Sequence, residues 1–176
     1  MILLLPLFAV FLTVTPSLCL PTNFTTFLLV TSPSPIPSSN TSSLHAISAT
    51  SLIDPFNQPA LLLRLTGPGY NSLPNFTLAD GTLSTYATAP FGGGLKKYNS
   101  TIVTAGAELQ FLASSQPAGN LGLDTDYLLT VDGESKGWTI CDGALQNEVL
   151  SWKGEANATK TGCRETYVHA VTKAPY

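Results

Sequence analysis

The chain has 176 residues, 44% of them hydrophobic, with 8 Lys and Arg against 11 Asp and Glu, a net charge of −3 and only 11% charged residues. That length suits one domain with a single core, and so few basic residues exclude the positive face on which nucleic-acid binding depends. Disorder is excluded too, because the Gly and Pro residues sit among ample Leu, Val, Phe and Tyr.

In chain order, the first element is an apolar run over residues 2–12, too short to cross a bilayer, which takes about 20 apolar residues. Ser17 and Cys19 then supply the small residues that a signal peptidase reads at positions −3 and −1. Residues 1–19 are therefore expected to be a signal peptide cleaved after Cys19, with cleavage after Ser17 as the alternative. Residues 20–176 are expected to form one secreted domain. Its first piece, 26–31, reads as a strand of β-formers stopped by proline. The Pro/Ser-rich stretch 32–43 that follows reads as an exposed loop, since it has no means of building a core.

From there on, short runs of β-branched and aromatic residues recur between Gly, Pro, Asn and Asp, and no segment has a clean helical apolar face. Strands are predicted at 60–66, 76–78, 83–87, 101–104, 109–113, 127–131, 137–141, 149–152 and 166–172. Turns are predicted at 67–69, Asp80-Gly81, Asp132-Gly133 and Asp142-Gly143. Asp-Gly between apolar runs is the strongest short-range hairpin signal, because both residues tolerate the positive φ of a type I′ turn. The glycine-flanked Lys96-Lys97 reads as a solvated loop tip; the glycine run before it lacks the Lys-Ser/Thr ending of a phosphate loop. The fold class expected is all-β: a compact antiparallel sandwich or barrel-like domain. One internal similarity bears on topology. Phe76-Thr77-Leu78-Ala79-Asp80-Gly81-Thr82-Leu83 matches Trp138-Thr139-Ile140-Cys141-Asp142-Gly143-Ala144-Leu145, so two related hairpins are expected. The copies start 62 residues apart, long for a three-lobed repeat, which leaves a β-trefoil as the alternative.

Five N-x-[ST] sequons, at Asn23, Asn40, Asn75, Asn99 and Asn157, make an N-glycosylated protein the natural reading behind a signal peptide. Asn75 is expected to be poorly used, because its sequon enters a strand. Of three cysteines, Cys19 leaves with the leader, and in an oxidising compartment the remaining Cys141 and Cys163 are expected to form a disulfide.

The inventory for chemistry is thin. Only His45 and His169 are present, with no Gly-x-Ser-x-Gly elbow, so a histidine hydrolase has no motif behind it. Asp124, Asp126, Asp132 and Glu134 offer hard oxygens, but not at EF-hand spacing, and read as two solvated turns. Asp80, Asp142, Glu108 and Glu148 could pair for glycoside hydrolysis only if folding brought two together; Asp80 and Asp142 have a simpler role in Asp-Gly turns. No catalytic residue, cofactor or metal is expected. Trp138 and Trp152 could stack on sugar rings, but each is in register with an apolar strand neighbour, Ile140 or Leu150, and core burial is the better reading.

The secretory leader, Phe76 to Leu83, Gly137 to Leu145, Trp152-Lys153-Gly154, Gly162-Cys163 and Tyr167 together resemble a group of small secreted fungal proteins. That group includes cell-wall proteins of the phialide-development type and IgE-binding proteins. The resemblance implies a non-enzymatic extracellular or cell-wall-associated glycoprotein, immunogenic, with no catalytic residues to carry over. The alternative is a carbohydrate-binding module for wall polysaccharide, with Trp138 and Trp152 as stacking residues. No apolar tail follows Tyr176, so neither a GPI anchor nor an integral membrane anchor is expected.

Overall fold

Alternating side-chain direction turns most of the apolar runs into strands with one face buried. The computed structural model describes residues 25–36, 47–54, 60–67, 73–89, 92–155 and 161–174. Residues 1–19, expected to be a signal peptide, His45, Asn23, Asn40, Asn157 and most of the Pro/Ser-rich stretch lie outside the described residues. Among the described residues there are twelve strands: β1 (Leu28–Ser32), β2 (Ser48–Ile53), β3 (Ala60–Thr66), β4 (Phe76–Ala79), β5 (Thr82–Thr88), β6 (Leu95–Ser100), β7 (Gln110–Leu112), β8 (Leu121–Leu123), β9 (Leu129–Val131), β10 (Trp138–Asp142), β11 (Glu148–Trp152) and β12 (Thr161–Val171). The fold is all-β and barrel-like, as expected from the sequence.

Six strands, in the order β1-β2-β3-β11-β10-β12, close into an antiparallel barrel, β12 returning to β1 over five residue pairs. The closing contact is Val149 of β11 against Arg64 in the second half of β3. The first half of β3 pairs instead with β7. Residues 106–112 bridge this fork: Gly106 donates to the Trp152 carbonyl at 2.7 Å, Leu109 donates to the Leu150 carbonyl at 3.0 Å, and Leu63 donates to the Leu109 carbonyl at 3.3 Å. The β11 carbonyls and the β3 N–H exposed by the parting of these strands are thus satisfied, as buried backbone requires.

Beyond β7 the sheet continues as an arm, β7-β6-β5-β4. Its outer strand is tied back where the chain enters β1: Phe27 and Phe76 exchange both backbone hydrogen bonds, at 3.0 and 2.8 Å. One face of barrel and arm is continuous and apolar, running from Leu29 and Leu63 through Phe111 and Tyr98 to Leu83 and Phe76. The β8–β9 hairpin adds Leu121, Leu129 and Val131 to it.

Two predicted Asp-Gly turns take the expected form. Asp80 and Gly81 have φ of 48° and 72°, and Asp132 and Gly133 have 51° and 82°, the positive pair of a type I′ turn. Asp142-Gly143 does not: Asp142 stays in β10, opposite Glu148, and the chain reverses later, with Leu145 and Gln146 at φ 59° and 56°. The internal similarity therefore ends at the turn, with Leu83 buried but Leu145 exposed to 69%. The trefoil alternative is overturned as well. Trefoil barrels draw strands from each of three repeats, whereas this barrel takes three consecutive strands from each end of the order. Strands β2, β6 and β8 were not predicted, and residues 101–104 are not a strand. The lysines of the supposed loop tip, Lys96 and Lys97, are exposed but lie within β6.

The hairpin β8–β9 is clasped to the β4–β5 turn by two hydrogen bonds, Gly119 to the Asp80 carbonyl and Leu121 to the Gly81 carbonyl, both 3.0 Å. A Cβ on Gly119 would stand 2.1 Å from the Gly81 carbonyl oxygen, whereas one on Gly133 meets nothing within 4 Å. Gly119→Ala is expected to destabilise by about 1–3 kcal/mol through backbone overpacking, more than Gly133→Ala, whose cost of about 1 kcal/mol is the positive φ alone. Urea unfolding midpoints of the two variants check the order.

Candidate functional site

Gly137, Trp138, Trp152, Lys153 and Gly154 are brought into one cluster. Trp138 and Trp152 face each other across β10 and β11 and pack edge to face, centroids 5.1 Å apart at 71°. Trp138 is fully buried and its Nε1 donates to the Leu129 carbonyl at 2.8 Å; Trp152 is 5% exposed. A Cβ on Gly137 would lie 2.9 Å from the Trp152 ring, so only glycine lets the chain pass there. Lys153 donates its backbone N–H to the Gly137 carbonyl at 2.6 Å and holds its ammonium 5.3 Å from the Trp152 ring centre. Gly154 donates to Thr139 Oγ1 at 3.0 Å, where a Cβ would meet Thr139, Ser151 and Cys141. A sugar-stacking role for Trp138 and Trp152 is therefore corrected: both are core side chains, and neither offers a ring face to a ligand.

Beside this cluster, Cys141 and Cys163 are bonded, Sγ to Sγ 2.09 Å, with Cα atoms 4.1 Å apart. The bridge joins β10 to β12 where their register shifts between Ile140 and Asp142. Gly162 lies against the shifted end, a Cβ there falling 2.7 Å from Asp142 Oδ2.

The titratable candidates are dispersed and occupied. His169 is completely buried in β12, paired with Val30 of β1, its Nε2 3.0 Å from the Ser34 carbonyl. Its Nδ1 is buried with no hydrogen-bond partner. Desolvation pushes its pKa below 6.5, against the smaller opposing effects of the Ser34 carbonyl and the Asp124 charge. Asp124 Oδ1 accepts from the backbone of Asp126 and Leu128, both at 2.9 Å, closing the turn before β9. Asp132 Oδ2 accepts from Asn120, and Glu134 pairs with Lys153 at 2.7 Å. Glu148 and Asp142 oppose each other across β10 and β11, but Glu148 is engaged by Arg164. Asp80 heads a type I′ turn, and the main chain of Glu108 forms a β-bridge with Ser151 in the fork. Among the described residues no group of three or more His, Cys, Asp or Glu converges as a metal site.

Open hollows lie elsewhere. One of about 300 Å³ is lined by Thr31, Ser48, Ile140, Arg164 and Thr166 of the barrel strands. Two threonines there are already used, Thr31 donating to the Ser48 carbonyl and Thr166 to the Ser32 carbonyl. The second, about 400 Å³, runs over the arm between Asp80, Ser84, Lys97 and Asn99 and the segment 115–118. The third, about 470 Å³, lies between Ser51 and Leu52 of β2 and Tyr86 and Ala87 of β5, with Leu73, Pro74 and Asn75 along its side. Sequence reasoning missed Tyr86, a lone aromatic in a polar strand that is exposed beyond three buried residues of β5. No family model, curated protein or solved structure matches this chain.

Two outcomes follow from these groups. Because His169 is held neutral, the unfolded chain takes up a proton below about pH 6.5 that the folded chain refuses, so stability should fall as pH drops through that range. Denaturant midpoints from pH 7.5 down to pH 5 should show this slope, and His169→Gln should flatten it. Replacing both bonded cysteines by serine should cost about 3 kcal/mol, the chain-entropy value for a loop of this length, read as a lower unfolding midpoint.

Proposed function

We propose that this is a non-enzymatic, secreted, N-glycosylated fungal protein of the extracellular space or cell wall. The observation that carries the reading is the bonded pair Cys141–Cys163 between β10 and β12, since such bonds persist in oxidising compartments and not in the cytosol. The signal-peptide pattern and the five sequons support it. A structural rather than catalytic role fits how the chain spends its reactive groups. His169 is sealed in a strand, Asp124 closes a turn, and Glu134 and Glu148 serve ion pairs. The alternative, a polysaccharide-binding module built on Trp138 and Trp152, loses both of its aromatic platforms to the core.

Expression of the full chain in a fungal host tests the reading. The protein should reach the medium or wall fraction, shift in mobility on endoglycosidase treatment, and show no free thiol before reduction. Unglycosylated protein in the cytosol with all three cysteines reduced would overturn it.

A further inference from the structure

We propose that the hollow between β2 and β5 is a docking site for the first sugars of an N-linked glycan carried on Asn75, with Tyr86 as the surface on which a sugar ring packs. The inference rests on the secretory reading above and adds to it a particular modified residue and a place for what is attached.

The strand setting that makes Asn75 look poorly usable instead presents its sequon outward. Phe76, in the middle, is fully buried, while Asn75 and Thr77 on either side are exposed. The main chain at Asn75 is held on both sides of the attachment point. Its carbonyl accepts from Thr85 Oγ1 at 2.7 Å, and Phe76 is locked to Phe27 by two backbone bonds. A glycan on Asn75 would therefore start from a fixed position beside the hollow that Asn75 itself lines. At about 470 Å³ that hollow falls within the size range of small-ligand sites.

The lining suits a sugar, which has apolar C–H faces and hydroxyl edges. Leu52, Leu73 and Pro74 supply apolar wall, beside buried Ser51, whose hydroxyl accepts from Arg64 Nε at 3.4 Å. Tyr86 stands 63% exposed in the middle of a paired strand, an amphipathic ring of the kind that packs one face against a partner and keeps its hydroxyl in water. Among the described residues that line it there is no Asp, Glu, Lys or Arg, so the chemistry favoured is a neutral saccharide. Asn99 makes the contrast. Its sequon lies in β6, its Oδ1 accepts from Ser84 Oγ at 2.8 Å, and its Nδ2 donates to the Ser114 carbonyl at 3.0 Å.

The test uses the full chain secreted from a eukaryotic host, with site occupancy read by glycopeptide mass spectrometry and Tyr86 exposure read by tyrosine nitration. Asn75 should be occupied. Nitration of Tyr86 should be roughly threefold to tenfold lower in the glycosylated protein than in Asn75→Gln, the protection expected of an ordinary ring contact. Enzymatic removal of the glycan from the folded wild-type protein should restore nitration to the same degree, which separates shielding from any folding defect of the variant. Secreted protein with other sequons occupied but Asn75 bare would overturn the proposal and leave the secretory reading standing. Cytosolic protein with no sequon occupied would overturn both. Equal nitration with and without the glycan on Asn75 would overturn the docking. Shielding of Tyr86 in Asn75→Gln by added chitin or β-glucan oligosaccharides, but not by the attached glycan in wild type, would overturn it in favour of a free polysaccharide.

Discussion

The architecture turns on the sharing of β3. One edge of this strand pairs with β7 along its first half and reaches β11 along its second, so the chain can both close a barrel and extend it into an arm. An unpaired half of β3 would expose backbone groups and an edge able to recruit other strands. The crossing of residues 106–112 removes that liability by bonding first to β11 and then to β3. A similar economy operates at the far end of the arm, where a single pair, Phe27 with Phe76, secures β4. Both aromatic side chains are buried in the common core, so the backbone tie and the hydrophobic contact reinforce one another.

Second to this stands the cluster around Trp138 and Trp152, which explains why its neighbours are so small. Two indoles meeting edge to face fill a large volume, and the chain must pass close on either side: Gly137 against the Trp152 ring, Gly154 against Thr139, Ser151 and Cys141. The disulfide then fixes β12 against β10 where their regular pairing is interrupted. Gly137, Gly154 and the bonded cysteines are thus held in place by packing, and constraints of that kind speak to architecture more directly than to activity.

What was legible in the sequence follows from the strength of local signals. Strand β3, its whole span apolar except for Arg64 and the final Thr66, and the two type I′ turns could be read because the chemistry is local. Strand β2 could not. Its sequence, Ser-Ala-Thr-Ser-Leu-Ile, is mostly small and hydroxylated, and it is a strand because partners on both sides and hydroxyl bonds such as Thr50 Oγ1 to the Leu29 carbonyl at 2.7 Å hold it. Strand β6 was hidden by Lys96 and Lys97, whose charges read as a loop although five rungs with β5 place them on a sheet face. Asp142-Gly143 misled in the other direction, since β12 pairing at Thr161 keeps Asp142 extended. The tryptophans were recognisable as important, but their dual reading as core or ligand surface depends on three-dimensional burial, which periodicity only suggests. Tyr86 was passed over for the converse reason: one aromatic in a polar strand has no pattern to announce it.

The scarcity of charge also takes on physical meaning. The two ion pairs seen among the described residues, Lys153 with Glu134 and Arg164 with Glu148, are largely exposed and contribute little to stability. Internal polarity is carried instead by hydroxyls: Thr31, Thr50 and Thr166 each donate to a carbonyl of a neighbouring strand, satisfying themselves without the desolvation cost of a buried charge. On the outer face of the arm the same economy leaves Thr77, Ser84, Tyr86, Thr88 and Asn99, with exposed Leu95 opposite Thr88 and Lys97 as the nearby cation. A surface of that composition has little electrostatic means of selecting a charged partner. The glycan docking proposed for Asn75 would therefore rest on shape, hydroxyl geometry and the aromatic face of Tyr86.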